Sequence, residues 1–151
     1  MYYVNEKFIN DRLACIPDLA MALTVVSSGW RGTLSEGLVQ ERALHLAAEI
    51  VTDVGNALID GFIMRDASSY EDIVDIIAME NVIDGNIAAS MRELVLLRKL
   101  LVQDYVEWPR HELHKLTPEL PELLGEFGRQ VKSYMERELR GFPNSDRPSD
   151  Q

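Results

Sequence analysis

The sequence predicts an all-α fold, an up-down bundle of about five helices in one domain, and three observations predict it. Apolar residues recur at steps of three and four through most of the chain. No stretch alternates apolar and polar residues as a half-buried strand would, and the pattern is interrupted at the Pro, Gly, Ser and Asp positions where helices start and stop. With 46% apolar residues among 151, the chain has material for a single core.

The first helix is expected over residues 5–28, with Phe8, Leu13, Leu19, Leu23 and Val26 on its apolar face, a kink or break at Pro17, and an end at Ser27, Ser28 and Gly29. Ser35 is the expected N-cap of a long second helix over 36–64. There Leu44, Ala48, Val51, Gly55, Leu58 and Phe62 form one apolar row and Leu46, Ile50, Val54 and Ala57 make much of the other side apolar, so this helix should be central. A short third helix follows Ser68 or Ser69 as cap, with Glu71 and Asp72 in its first turn and Ile73, Ile76 and Ile77 facing inward. Asp84 and Gly85 separate it from a fourth helix over 86–107, built on Ile87, Met91, Leu94, Val95, Leu101 and Val102. Trp108-Pro109 interrupts the chain, and a final helix restarting near Thr117 carries Leu120, Leu124, Phe127, Val131 and Met135. The domain is expected to span 1–140, with the polar stretch GFPNSDRPSDQ at 141–151 as a disordered tail.

Charge narrows the partners. The formal net charge is -10, and residues 1–91 hold five Lys and Arg against 14 Asp and Glu, while 92–151 hold ten against 11. A broad basic face, the usual footprint of phosphate neutralisation, is therefore absent. Contact with nucleic acid would be local, through Arg92, Arg98, Lys99 and Arg110. The lone Cys15 excludes an internal disulfide framework, suits a reducing compartment and is expected to be a small buried hydrophobe. MYYVNEKFINDR carries charges where a signal peptide would be apolar, and no segment has the uncharged length of a membrane span. The expected location is cytoplasmic.

Most familiar chemistries have no residues here to carry them. There is no phosphate-cradling glycine loop, no Gly-x-Ser-x-Gly elbow, no Cys-x-x-Cys pair and no zinc-protease helix. Glu49, Asp53, Asn56 and Asp60 form a polar stripe on the second helix, but without Glu-x-x-His pairs it reads as a solvated groove or subunit interface and not as a di-iron site. His111 and His114 lack a third ligand and read as surface residues, and no metal or other cofactor is expected. The paired Glu-x-x-Glu/Asp motifs of an all-α nucleotide pyrophosphatase are also missing.

That leaves RKLLVQDY at 98–105. On a straight helix Arg98 and Tyr105 point within ~20° of one another but lie ~10 Å apart along the axis, with Gln103 turned ~140° from Arg98. One straight helix cannot focus the three on a small group. They converge only if the helix ends near Gln103 or if two chains build the site together. The stripe Ile87, Met91, Leu94 and Leu101, read as more than one core needs, favours a two-fold dimer with this helix near its axis.

The span GNALIDGFIMRDASSYEDIVDIIAMENVI followed by LVLLRKLLVQDY resembles the HepT-like branch of the HEPN superfamily, its YutE-like members in particular. That resemblance implies an all-α homodimer with an Arg-x4-His-x-Tyr motif that cuts RNA without a metal across the dimer. It also implies a minimal nucleotidyltransferase antitoxin as partner, which adenylylates the motif tyrosine. Carried over, Arg98 and Tyr105 match the motif arginine and tyrosine, and Gln103 stands where the histidine belongs. Glutamine cannot exchange protons, so the resemblance implies a ribonuclease toxin framework with attenuated activity. The alternative is a non-enzymatic dimeric regulator or scaffold of the same fold.

Overall fold

The computed structural model describes residues 2–140. Its elements are α1 (Glu6–Leu13), α2 (Ile16–Ser28), α3 (Leu34–Gly61), α4 (Tyr70–Met79), α5 (Gly85–Leu96), α6 (Arg98–Val102) and α7 (Leu120–Arg140), with a 3-10 turn at Tyr105–Glu107. No strand occurs among the described residues. The five expected helical stretches are present, the first and fourth each in two pieces. The expected disordered tail, 141–151, lies outside the described residues.

The boundaries correct several expectations for local reasons. Asn5 caps α1 by accepting the Phe8 amide at 3.0 Å. The chain breaks at Ala14 and Cys15, ahead of Pro17, which sits in the first turn of α2, where its missing N–H removes no helical bond. Cys15 is exposed at this break and not buried as expected. The cap of α3 is Thr33 and not Ser35. Only Thr33 has a glutamate three residues on: its hydroxyl accepts the Glu36 amide at 3.2 Å and the Glu36 carboxylate accepts the Thr33 amide at 3.0 Å, a reciprocal capping box. Helix α3 ends at Gly61, short of 64, because Ile63 turns into the left-handed region at φ 57° and the Met64 amide closes back onto the Ile59 carbonyl. Asn81 makes the equivalent turn after α4, with φ 61°.

Helix α3 is the hub, packing against α1, α2, α4, α5 and α6, while α7 lies along α2. Ala47, Val51, Val54 and Leu58 are fully buried along it, as the sequence reading required of a central helix. The crossing of α3 and α4 depends on Gly55, where an added Cβ would stand 2.3 Å from Ile73 Cγ2. We expect Gly55→Ala to lower unfolding stability by ~1–3 kcal/mol, because forced overpacking outweighs the ~1 kcal/mol helix-propensity gain. Gly125 of α7 has nothing within 4 Å of the same built atom. Gly125→Ala should therefore be neutral or stabilising, and urea titration of both variants separates packing from propensity.

The segment after the 3-10 turn is fastened to the start of α3. Buried Gln40 donates to the Glu112 carbonyl at 3.0 Å and accepts from the His114 amide at 2.8 Å and the Thr117 hydroxyl at 2.7 Å. Arg110 grips Glu41 through two hydrogen bonds, and its carbonyl lies where a Cβ on Gly37 would fall. Here His114, expected on the surface, is partly buried and stacks on Trp108 at 5.8 Å, and burial lowers its pKa below the ordinary histidine value.

Carboxylates at helix starts, and Glu126 within α7, carry a pH signature. Hydrogen bonds hold four of them below their ordinary range: Glu36 bonded by Thr33, Asp72 by Arg65, Asp84 by the Ile87 amide and Glu126 by Arg129. In the unfolded chain such groups take up protons near pH 4, and in the folded chain only at lower pH. Their contribution is therefore complete above about pH 4 and is lost as pH falls through the folded values. Thermal melts should show a plateau near neutrality and a fall below about pH 4, flattened in Asp72→Asn.

Candidate functional site

The fourth expected helix does not run straight through RKLLVQDY. At Leu97 the turn tightens, with the Leu97 amide 3.1 Å from the Leu94 carbonyl, and α5 gives way to α6. Helix α6 ends at Val102. The amides of Gln103 and Asp104 both return to the Lys99 carbonyl, at 2.9 and 3.0 Å. Beyond them the chain tightens into the 3-10 turn and then extends at Trp108 (ψ 125°), as the residue before a proline must. A buried Trp108 anchors this exit.

Arg98, at the start of α6, is partly buried and points across to α3 and α4. Its Nε donates to Glu49 Oε1 at 2.7 Å, and its guanidinium carbon lies 4.4 Å from the centre of the Tyr70 ring. The Glu49 bond raises the pKa of Arg98 further above its ordinary value. Its two Nη groups make no hydrogen bond among the described residues, so the edge that recognises phosphate bidentately is left open. The same Glu49 Oε1 lies 3.4 Å from His45 Nε2, and Arg42 Nη1 lies 3.4 Å from His45 Nδ1. Arg42, His45, Glu49, Arg98 and Tyr70 thus form one strip across three helices.

Gln103 and Tyr105 are not bonded to that strip. Both are exposed, Tyr105 to 56%, and no hydrogen bond or ring contact joins either side chain to Arg98 among the described residues. The helix break expected near Gln103 is there, without a hydrogen bond or ring contact among the described residues that joins the three. Ile87, Met91 and Leu94, read as surplus apolar surface for a dimer, are buried in the chain's own core. The apolar groups exposed around the motif are Leu96, Tyr105 and Val106.

The polar stripe on α3 divides. Glu49 serves Arg98, whereas Asp53, which pairs with Arg12 at 3.6 Å, lines a shallow groove between α1 and α3 with Asn56, Asp60, Tyr3 and Phe8. The groove reading of the stripe thus holds for its second half. Sequence reasoning did not connect Glu49 to Arg98, 49 positions away, because no local pattern encodes that contact. His45 stands four positions before Glu49, and that step is the local signal for their contact. Among the described residues no group of three or more His, Cys, Asp or Glu could hold a metal ion. No helix among them is long and apolar enough to cross a membrane.

Comparisons with known proteins extend this picture. The family model described as Ribonuclease HepT-like matches residues 35–124, which span α3 to the start of α7 and include the whole strip. A Bacillus subtilis (strain 168) protein named "Putative RNase YutE" is 36% identical over 139 residues, covering 92% of this chain and 95% of its own. A solved structure of YutE from Bacillus subtilis, described as a cytosolic protein of unknown function, superposes with a TM-score of 0.83 at 34% identity, covering 92% of this chain and 96% of its own. A tri-AMPylated HEPN toxin of Shewanella oneidensis in complex with an MNT antitoxin shares the fold, with a TM-score of 0.71 at 18% identity over 83% of this chain and 97% of its own.

Proposed function

This chain belongs to the ribonuclease HepT-like family of the HEPN superfamily, and from that premise we propose that it is the HepT-like component of a cytoplasmic toxin-antitoxin pair whose own RNA cleavage is attenuated. Its partner is a minimal nucleotidyltransferase. The observation that carries the reading is Arg98, held by Glu49 through Nε with its Nη edge unbonded, in a chain where Gln103 takes the histidine place. Metal-free cleavage of RNA requires the 2′-hydroxyl to lose a proton as it attacks phosphorus and the 5′-oxygen to gain one as it leaves. Arg98 supplies charge for the phosphate, and Gln103 supplies no proton transfer. Loss of such a group typically costs ~10²- to 10⁴-fold.

Exposed Leu96, Tyr105 and Val106 beside the motif support a two-fold dimer built around α6, which should bury about 1,200 Å² or more in total. The second reading, a dimeric regulator or scaffold without activity, is favoured by the Glu49 carboxylate that already neutralises Arg98. Cleavage of a labelled structured RNA in EDTA by the wild type, Gln103→His and Arg98→Ala separates the two readings. Slow cleavage that rises with the histidine and vanishes without the arginine supports the nuclease lineage, and inert but folded, dimeric proteins throughout leave the scaffold.

A further inference from the structure

The imidazole of His45 is the one titratable ring nitrogen system in the Arg98 strip, and its surroundings dictate its state. A carboxylate only accepts hydrogen bonds and a guanidinium only donates them. Arg42 Nη1, a donor, faces Nδ1 at 3.4 Å, so neutral His45 keeps a lone pair on Nδ1 and its proton on Nε2, which lies 3.4 Å from Glu49 Oε1. That is the tautomer of a general base whose Nδ1 can take a proton while its protonated nitrogen faces a carboxylate. Arg42 is exposed, so an arriving phosphodiester can draw its guanidinium away from Nδ1. An imidazole can both take and give a proton, and the amide of Gln103 cannot.

Resting on the ribonuclease reading above, we propose that His45 takes the proton-transfer role that Gln103 cannot, so that the residual activity runs through the His45–Glu49–Arg98 strip of α3 and α6. The step balances within RNA and protein. Nδ1 takes the proton of the 2′-hydroxyl, the 2′-oxygen bonds to phosphorus, the bond from phosphorus to the 5′-oxygen breaks, and that oxygen is protonated by the imidazolium or by water. The products are a 2′,3′-cyclic phosphate and a 5′-hydroxyl. Glu49, which shares Oε1 between the imidazole and Arg98, fixes the distance between base and phosphate-binding charge and is a positioning residue.

The test is a cycle on the full-length protein in EDTA with a labelled structured RNA: wild type, His45→Gln, Gln103→His and the double variant, with RNA affinity measured by anisotropy. We expect His45→Gln to lower wild-type cleavage by ~10²-fold or more while affinity changes little, and to lower the Gln103→His rate far less, since that background has its own proton carrier. A purely structural role would cost the same factor in both backgrounds, and that result overturns the proposal. The pH-rate profile of the wild type should lose its base limb in His45→Gln; the charged groups facing the ring are Arg42 and Glu49 of α3, and Glu49 in turn holds Arg98 of α6, which stacks on Tyr70 of α4. If the wild type is inert while Gln103→His cuts, the His45 assignment falls and the ribonuclease reading stands. If all four are inert though folded, the ribonuclease reading itself falls.

Discussion

Gln103→His is expected to raise RNA cleavage, by at most ~10²- to 10⁴-fold, without disturbing the fold. The substitution is structurally cheap. Gln103 is exposed just past the end of α6, its side chain makes no hydrogen bond among the described residues, and only its backbone amide, bound to the Lys99 carbonyl, takes part in the helix end. What changes is chemistry: a group that can only hydrogen-bond becomes one that can cycle between acid and base at neutral pH. The size of the gain depends on placement, since a misplacement of ~1 Å can cost ~10²-fold. In this chain Arg98 is held by Glu49 and stacked on Tyr70. The full gain therefore requires that the new imidazole and the open Nη edge of Arg98 reach one phosphate, within one chain or across a dimer. Adding Arg98→Ala to the histidine variant should abolish the gain; if brisk cleavage survives that change, the chemistry lies elsewhere in the molecule.

How much of this was legible beforehand follows from the range of the interactions. Helix existence rests on local periodicity, and all five stretches, the centrality of α3 and a cap at Ser68 or Ser69, which is Ser69, could be read directly, because a cap and its amide lie within three residues; Asp84, expected only to separate two helices, is itself the cap of α5. Thr33 and Ser35 are neighbouring hydroxyls, and the glutamate three positions after Thr33 is the local feature that selects it as the cap. The split of 86–107 was harder: its apolar spacing continues unbroken through Leu97, while Trp108-Pro109 marks only the later interruption, and the Gln40 clamp on 112–117 that fixes the chain's course beyond it joins distant segments. The motif residues were legible as types in a register. Their geometry was not, since Glu49 meeting Arg98 and Tyr70 lying under the guanidinium are contacts between distant segments. The same limit explains the misjudged stripe of α5: periodicity shows that Ile87, Met91 and Leu94 face something, and only packing shows that they face their own core.

Tyr105→Phe is expected to abolish adenylylation by a partner nucleotidyltransferase, the other large effect. Modification of a tyrosine requires that its hydroxyl reach the α-phosphate of a bound nucleotide, in line with the leaving pyrophosphate, inside another protein's active site. Tyr105 meets the steric part of that requirement. It follows the end of α6 on a short 3-10 turn, is 56% exposed and makes no side-chain hydrogen bond among the described residues, so no native contact must break before it is presented. Two of the other described tyrosines, Tyr134 and Tyr70, are poorer candidates for separate reasons. Tyr134 is buried, and burial pushes its phenol up to about 12, so its oxygen is both hidden and slow to become a nucleophile. Tyr70 is about half exposed, but its ring supports the Arg98 guanidinium. The measurement is intact-protein mass after incubation with the partner, ATP and Mg²⁺: wild type should gain one or more AMP groups, Tyr105→Phe none, and Tyr70→Phe should be labelled like the wild type. Labelling that persists in Tyr105→Phe and disappears in Tyr70→Phe would move the modified residue into the Arg98 strip. AMP there would close the phosphate-binding edge directly, whereas AMP on Tyr105 would act from the rim, by placing a bulky anion beside Gln103 and repelling the RNA backbone.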